Sequence, residues 1–336
     1  MPRIYIAVTT DWEGAHFRNL KELRKIRQEM GWELPVTHFI CPAYFTRQMP
    51  EDKAARIQEA MGRYDETALH IHCYQSLVQQ ACVAFRSSPN YYRGQAPLLR
   101  KLASIFQKNP TNGVSGRGVP LSAYNHEEIK KIVLTSGRLL EEALGQKVVS
   151  FRAGGWIAND AVFQVLTEAG FTLDSSAVPP AVLSQGYRCS NNGNGRDDHG
   201  ETNGTFTNFI TNLWGCHEQQ EGFLKNSMIR QSLHENFITR YKQPWRINGL
   251  PELPSNGALS DFASIKRTMR PLLNHGLKQA KQHHKDFFMS IGMHQEGPLE
   301  WKVPLLEFVR SITPEERKYI RFVTMKQAAA IFGEQV

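Results

Sequence analysis

Several things are scarce in this 336-residue chain, and each scarcity closes a door. The longest apolar runs, such as Ile4 to Val8 and Phe287-Phe288-Met289, are far short of the ~20 residues a membrane-spanning helix needs. The apolar stretch after Arg3 is also too short for the hydrophobic part of a secretion signal, and it runs directly into Thr9-Thr10-Asp11. A soluble, cytoplasmic protein is therefore expected. No heptad or short repeat runs through the chain, and 10% of the residues are aromatic, which sets aside coiled-coil, collagenous and disordered readings. Cysteine is sparse: Cys41, Cys73, Cys82, Cys189 and Cys216 are odd in number and form no C-x-x-C pair. That pattern argues against a disulfide framework and for a reducing compartment. Charged residues make up only 21%, with 40 Lys+Arg against 32 Asp+Glu. The resulting +8 is scattered: Arg24-Lys25, Lys130-Lys131 and Arg317-Lys318 lie in helical patterns beside Glu. No aromatic-basic interleaving, helix-turn-helix or zinc-finger spacing accompanies them, so a mildly basic solvated surface is expected rather than a nucleic-acid partner.

What is present is ample apolar material, 41% of the chain, enough to bury a large core. Short β-rich runs recur: Arg3 to Val8, ending at Thr9, then Val36 to Ile40, Ala68 to His72, Val148 to Arg152, Phe171 to Ser175 and Phe287 to Met293. Helical patterns lie between them. Phe17 to Met30 sets Leu20, Leu23, Ile26 and Met30 on one stripe before Gly31. Asn125-x-x-Glu128 reads as a capping box opening a helix to Leu144, stopped by Gly145. Thr313-Pro314-Glu315-Glu316 and Thr324-x-x-Gln327 mark two further helix starts, and Asn159 to Ala169 reads as another helix. Strands alternating with helices predict a parallel sheet, open or closed into a barrel. Ser190 to Gly204 holds four Asn and four Gly and no apolar residue, so a flexible insertion is expected at 186–208 within a single domain spanning 1–336.

Parallel α/β folds gather chemistry at the C-terminal ends of their strands. After the first run stands Thr10-Asp11-Trp12-Glu13-Gly14, where two carboxylates spaced i, i+2 can share one side of an extended segment. An ordinary strand-to-helix turn would also explain them. The third run ends in His70-Ile71-His72, and imidazoles at i, i+2 can reach one divalent metal. Phe151-Arg152-Ala153-Gly154-Gly155-Trp156 follows the fourth. A buried Arg152 calls for a carboxylate partner, the glycines permit close backbone approach, and Trp156 can floor a ring pocket. The last run ends in His294.

Carboxylates, a histidine pair, Arg-Ala-Gly-Gly-Trp and a late histidine, in that order, resemble the polysaccharide deacetylase superfamily (NodB-homology, carbohydrate esterase family 4-like). The resemblance spans roughly residues 4 to 295 and is nearest to the branch with a D-x-E first motif, with Gly170-Phe171-Thr172-Leu173-Asp174-Ser175-Ser176 as supporting texture. It implies a distorted (β/α) barrel of about seven parallel strands. It also implies metal-dependent hydrolysis of an N-acetyl or similar acyl group on an amino sugar, here in a cytoplasmic glycan or polysaccharide precursor. By that resemblance Asp11 is the general base, Arg152 its partner and His294 the general acid. A divalent metal, Zn²⁺ foremost, is held by His70, His72 and a carboxylate, Glu13 or Asp11. Trp12, Tyr74, Gly155 and Trp156 are the expected substrate contacts, and Asp174 a candidate to orient His294. The chain departs from the best-studied members in two places. Trp12 stands where a second adjacent aspartate would be, and the two histidines are two apart rather than four.

Three rivals remain open: a same-fold hydrolase of a small amide, an amidohydrolase-type metal hydrolase, and a carbohydrate-binding protein that has lost catalysis. The partner expected in each case is a small molecule or oligosaccharide, with Ser190–Gly204 and Trp245 to Asn256 framing its pocket.

Overall fold

A computed structural model of the chain describes residues 2–13, 24–26, 28–29, 34–46, 50–89, 116–179, 239, 241–259, 265–295 and 298–334. Every described strand joins one mostly parallel sheet. At its centre lies β1 (Ile4–Trp12), buried along its whole length. On one edge it pairs in parallel with β9 (Phe287–His294), from Ile4↔Phe287 to Asp11↔His294. The other edge is divided: β10 (Ile320–Val323) takes Ile4 to Ala7, and β2 (Val36–Ile40) takes Val8 to Trp12. Outward from β2 follow β3 (Glu66–Ile71), β4 (Ser150–Ala153), β5 (Leu173–Asp174) and β7 (Leu250–Glu252), all parallel. The antiparallel β6 (Trp245–Ile247) edges β7 through a two-residue turn, Asn248-Gly249, with φ of 49° and 82°. Positive φ at both positions is the hairpin geometry that Asn-Gly favours.

The two ends of the sheet are successive pieces of one stretch of chain. β7 pairs with β5, and a few residues later β8 (Ala258–Leu259) pairs with β9. Between them the backbone stays bonded to both sides. Leu253 N donates to Asp174 O, and Ser255 N to Ala177 O, each at 2.8 Å. The Asn256 side chain stands in for a missing ladder rung, accepting from Ser290 N at 3.0 Å and donating to Phe288 O at 3.1 Å. At Gly257 a Cβ would lie 1.8 Å from Ser290 O, so this crossing requires glycine. The sheet thus curls into the expected distorted barrel. Its parallel staves are β1, β2, β3, β4, β5, the interrupted β7–β8 and β9, with β10 inserted below β2.

Alternation along β1 sorts two cores. Ile4, Ile6 and Val8 face the outer helices, among them α1 (Pro50–Ala60), α2 (Gln75–Gln80), α3 (His126–Leu144), α4 (Asp160–Glu168), α5 (Ile265–Gln282) and α6 (Pro298–Arg310). Tyr5 and Ala7 face inward and meet Phe39, Ala68, Leu173 and Phe288. Met325, Ala328, Ala329 and Phe332 of α8 (Met325–Phe332) plug the barrel from below. Tyr5 and Phe288 approach Phe332 edge-on at 5.5 and 5.9 Å between centroids, and each such buried ring contributes about 1.5–3 kcal/mol. The buried Glu66 carboxylate accepts from Lys326 N at 2.8 Å and from Thr37 Oγ1 at 3.0 Å, placing negative charge at the N-terminus of α8. The inward face of β1 then turns polar: above Tyr5 and Ala7 come Thr9, Asp11 and Glu13.

The expected capping box is present at Asn125, and the helix starts expected at Thr313, before α7 (Pro314–Arg317), and at Thr324 carry capping boxes too; Gly145 ends α3 at φ 68°. One boundary differs. The first strand does not end at Thr9 but runs to Trp12, because β2 and β9 both keep pairing with it. Of the stripe expected over Phe17 to Met30, only 24–26 and 28–29 are described, and they are helical. The insertion at 186–208, with Ser190–Gly204 inside it, lies outside the described residues. No described helix is long and apolar enough to cross a membrane.

Candidate active site

Three strand ends meet above the apolar plug. The Arg152 guanidinium, fully buried, lies 3.9 Å above the Phe39 ring. Its Nη1 donates to Asp11 Oδ1 at 2.6 Å and to Thr9 Oγ1 at 3.1 Å. Nε donates to Ser175 O at 3.2 Å and Nη2 to Ser175 Oγ at 3.1 Å. A buried cation is tolerable only when neutralised and bonded on every side, and here it is. Asp11 is clamped through Oδ1; among the described residues no donor reaches Oδ2.

One layer higher, the two histidines of β3 turn inward with Glu13. His70 Nδ1 lies 2.9 Å from Arg152 O and His72 Nδ1 2.8 Å from Arg117 O. Carbonyl oxygens only accept, so both Nδ1 atoms carry hydrogen and both Nε2 atoms present lone pairs. Those Nε2 atoms stand 3.1 Å apart. Glu13 Oε2 is 3.7 Å from His70 Nε2 and in direct contact with His72 Nε2. The three ligating atoms lie within 4.8 Å of one another, and all three residues are buried. Bare lone pairs from two imidazoles and a carboxylate, converging without a hydrogen between them, call for a cation. The set could hold a metal ion, with tautomers fixed by backbone carbonyls as such ligands require.

The local electrostatics agree. Burial works to raise the Glu13 carboxyl, but its neighbours His72, His294 and His70 together hold it well below the usual range. Burial lowers His72, partly opposed by Glu13, which favours the neutral ligating form. His294 extends the cluster: its Nε2 lies 3.0 Å from Glu13 Oε1, and Asp11 O accepts from the next backbone N–H, Gln295, at 3.0 Å. Close packing explains the first glycine of Arg-Ala-Gly-Gly-Trp. A Cβ on Gly154 would lie 2.5 Å from Ile71 O and 2.8 Å from His72 Nδ1.

The structure therefore joins Asp11 to Arg152, and Glu13 to His70, His72 and His294; Glu13, not Asp11, is the carboxylate beside the histidines. Three expectations change, for Trp12, Trp156 and Asp174. Trp12 is fully buried on the opposite face of β1, donating to Thr10 Oγ1 at 2.8 Å, so it has no face to offer a sugar. Trp156 is buried too, with φ 56° following Gly155 at 66°, so the Gly155-Trp156 turn packs its indole rather than displaying it. Tyr74, half-buried, donates its hydroxyl to Glu13 O at 2.8 Å and so also supports the end of β1. Asp174 does not turn to His294; it accepts from Ser176 N and Oγ, at 2.9 and 2.8 Å.

Sequence reading missed Arg117. Its guanidinium lies 3.1 Å from Glu13 Oε1 while its carbonyl holds His72, so one residue steadies two members of the cluster. The signal was faint. It lies in the preceding Gly116, whose φ is 72° and where a Cβ would meet Cys73 O at 2.2 Å.

No protein-family model matches the chain, and no curated protein does. Among solved structures, a provisionally assigned polysaccharide deacetylase from Mycobacterium smegmatis is 13% identical, with a TM-score of 0.49 over 99% of this chain and 91% of that one. The Xyl-CE4 domain of a multidomain xylanase from the hindgut metagenome of Trinervitermes trinervoides is 10% identical, with a TM-score of 0.41 over 100% and 92%. A mutant of a Bacillus anthracis CE4 family pseudoenzyme, with restored enzymatic activity, is 10% identical, with a TM-score of 0.41 over 97% and 67%.

Proposed function

We propose that this chain is a metal-dependent amide hydrolase of the polysaccharide deacetylase type, removing an N-acetyl or similar acyl group from an amino sugar. The observation that carries this reading is the convergence of His70 Nε2, His72 Nε2 and Glu13 Oε2, beside a carboxylate that Arg152 holds by one oxygen only. Structural histidines rarely turn two bare nitrogens towards each other and a carboxylate.

Amide hydrolysis needs an activated water, a stabilised oxyanion and a proton for the leaving nitrogen. Glu13, His70 and His72 would hold the metal, which when bound supplies Lewis acidity toward the acyl carbonyl and the attacking water. Asp11 is the general base. Arg152 neutralises and orients it through Oδ1, leaving Oδ2 to take a proton from water. His294 is the general acid: a proton on its Nε2 is stabilised by Glu13 at 3.0 Å and can pass to the departing amine. The free thiols Cys41, Cys73 and Cys82 agree with a reducing compartment and so with a cytoplasmic glycan precursor as substrate.

Acetate release from short N-acetylated amino-sugar oligomers, measured with metal-loaded and with chelated protein, tests the reading. Release that depends on metal supports it. Metal-loaded protein that binds these sugars and releases no acetate points instead to the carbohydrate-binding alternative.

A further inference from the structure

We propose that Asp174 and Glu252 form a carboxyl pair holding one proton between them, and that this pair positions Arg152. The two residues are in-register neighbours on β5 and β7, and both are fully buried. Asp174 takes one donor on each oxygen, Ser176 N on Oδ2 and Ser176 Oγ on Oδ1, and keeps lone pairs for a further donor. Glu252 Oε1 accepts from Ala177 N at 2.9 Å, while Oε2 is buried and, among the described residues, meets no donor. An ionised oxygen in that position would be costly, because it is buried and another carboxylate stands beside it. A proton on Glu252 Oε2, donated to Asp174, removes both penalties.

The charged groups facing Glu252 are Asp174 from β5 and Arg152 from β4, and its register partner on β6 is Trp245. Burial pushes Glu252 well above the usual carboxylate range, and Asp174 adds to the shift. Burial also raises Asp174, against the opposing hydrogen bonds of Glu252 and Ser176. The pair reaches Arg152 through the chain segment it secures. Ser175 O and Oγ take Arg152 Nε and Nη2, and Ser176 Oγ accepts from Ala153 N at 2.9 Å. With Ser176 tied to Asp174 and Ala177 tied to Glu252, the guanidinium is aimed at Asp11. A folded-state value above the unfolded one means that Glu252 stabilises the fold at acid pH. That contribution fades as pH rises through its folded value.

The link to turnover rests on the hydrolase reading; the proton arrangement does not. Three variants of the full chain, compared with wild type, separate them: Glu252→Gln, Glu252→Ala and Asp174→Asn. Glutamine keeps a donor towards Asp174 and an acceptor towards Ala177 N. Glu252→Ala is expected to lose roughly 2–6 °C in Tm, and Glu252→Gln to restore it while abolishing the alkaline decline of the wild type. The infrared difference between wild type and Glu252→Gln at neutral pH should show a protonated-carboxyl stretch. Asp174→Asn should lower Tm, shift the Arg152 Nε–H signal in ¹⁵N spectra and lower kcat with metal content and KM unchanged. No protonated-carboxyl band, or an Asp174→Asn that is silent where Glu252→Gln is damaging, overturns the proton assignment. A Tm loss with the Arg152 signal unmoved overturns the positioning role. If wild type hydrolyses no amide at all, the hydrolase reading fails while the spectra still decide the pair.

Discussion

β1 carries a histidine cluster on each of its faces, and the two are built on opposite principles. On the outer face Trp12 Nε1 donates to Thr10 Oγ1, which stands 2.8 Å from His38 Nδ1, and His38 Nε2 stands 2.8 Å from Asp65 Oδ2. Asp65 takes Val36 N at 3.0 Å and Gly62 N at 2.7 Å besides. Each hydrogen has one oxygen or nitrogen to receive it, in a chain that ends on backbone. The inner face has the same ingredients, buried imidazole beside buried carboxylate, but there the acceptors outnumber the hydrogens. Residue type, burial and even an Asp-His-Thr order do not separate a structural histidine from a ligating one. The balance of donors and acceptors does.

That contrast breaks if the inner face behaves like the outer one. The largest expected effect belongs to His70→Ala/His72→Ala: metal falls from about one ion per chain to none by plasma mass spectrometry, and hydrolysis disappears with it. Retained metal would show that the convergence of the two Nε2 atoms is incidental. His294→Ala comes next, expected to cost about 10²–10⁴-fold in turnover with metal content intact; parallel metal and rate measurements separate a proton donor from a ligand. On the outer face, His38→Ala should cost about 2–4 kcal/mol in urea unfolding, since it strands Asp65 and Thr10 and leaves a cavity. Its metal stoichiometry should stay at the wild-type value, and a loss would erase the distinction drawn above.

Arg117→Ala sharpens the comparison from the side. It removes the cation from Glu13 and leaves the carbonyl that fixes His72, so metal affinity should fall about 10–100-fold by competition with a chelator. Unchanged affinity would reduce Arg117 to a surface contact. The smallest effect concerns the thiols. Burial pushes Cys41 up to about 11 and Cys73 higher still, whereas Cys82 is exposed. Of these three, only Cys82 should react with a mild alkylating reagent in the native protein, as peptide mass spectrometry would show.

Much of this was legible beforehand because it is local. Caps at Asn125, Thr313 and Thr324 need only the residues three positions on, and the i, i+2 spacing of Asp11 with Glu13 and of His70 with His72 fixes a common face. Partnership across strands was harder to read. Trp12 looked like a sugar platform because no local signal places its face against β2. His38, an ordinary member of Val36 to Ile40, gave no hint of Asp65. Glu252 meets Asp174 only because β7 docks on β5, and nothing in the Trp245 to Asn256 stretch points to that partner.

The divided edge of β1 bears on how the protein is made. The strand that supplies Asp11 is synthesised first, yet one edge must wait for β9 and half of the other for β10. Pairings this distant in sequence close slowly. As the chain leaves the ribosome, Asp11 and Glu13 have no late strand to lean on until His294 and then Val323 emerge. The order of translation therefore leaves Asp11 and Glu13 without His294 beside them until the late strand β9 emerges.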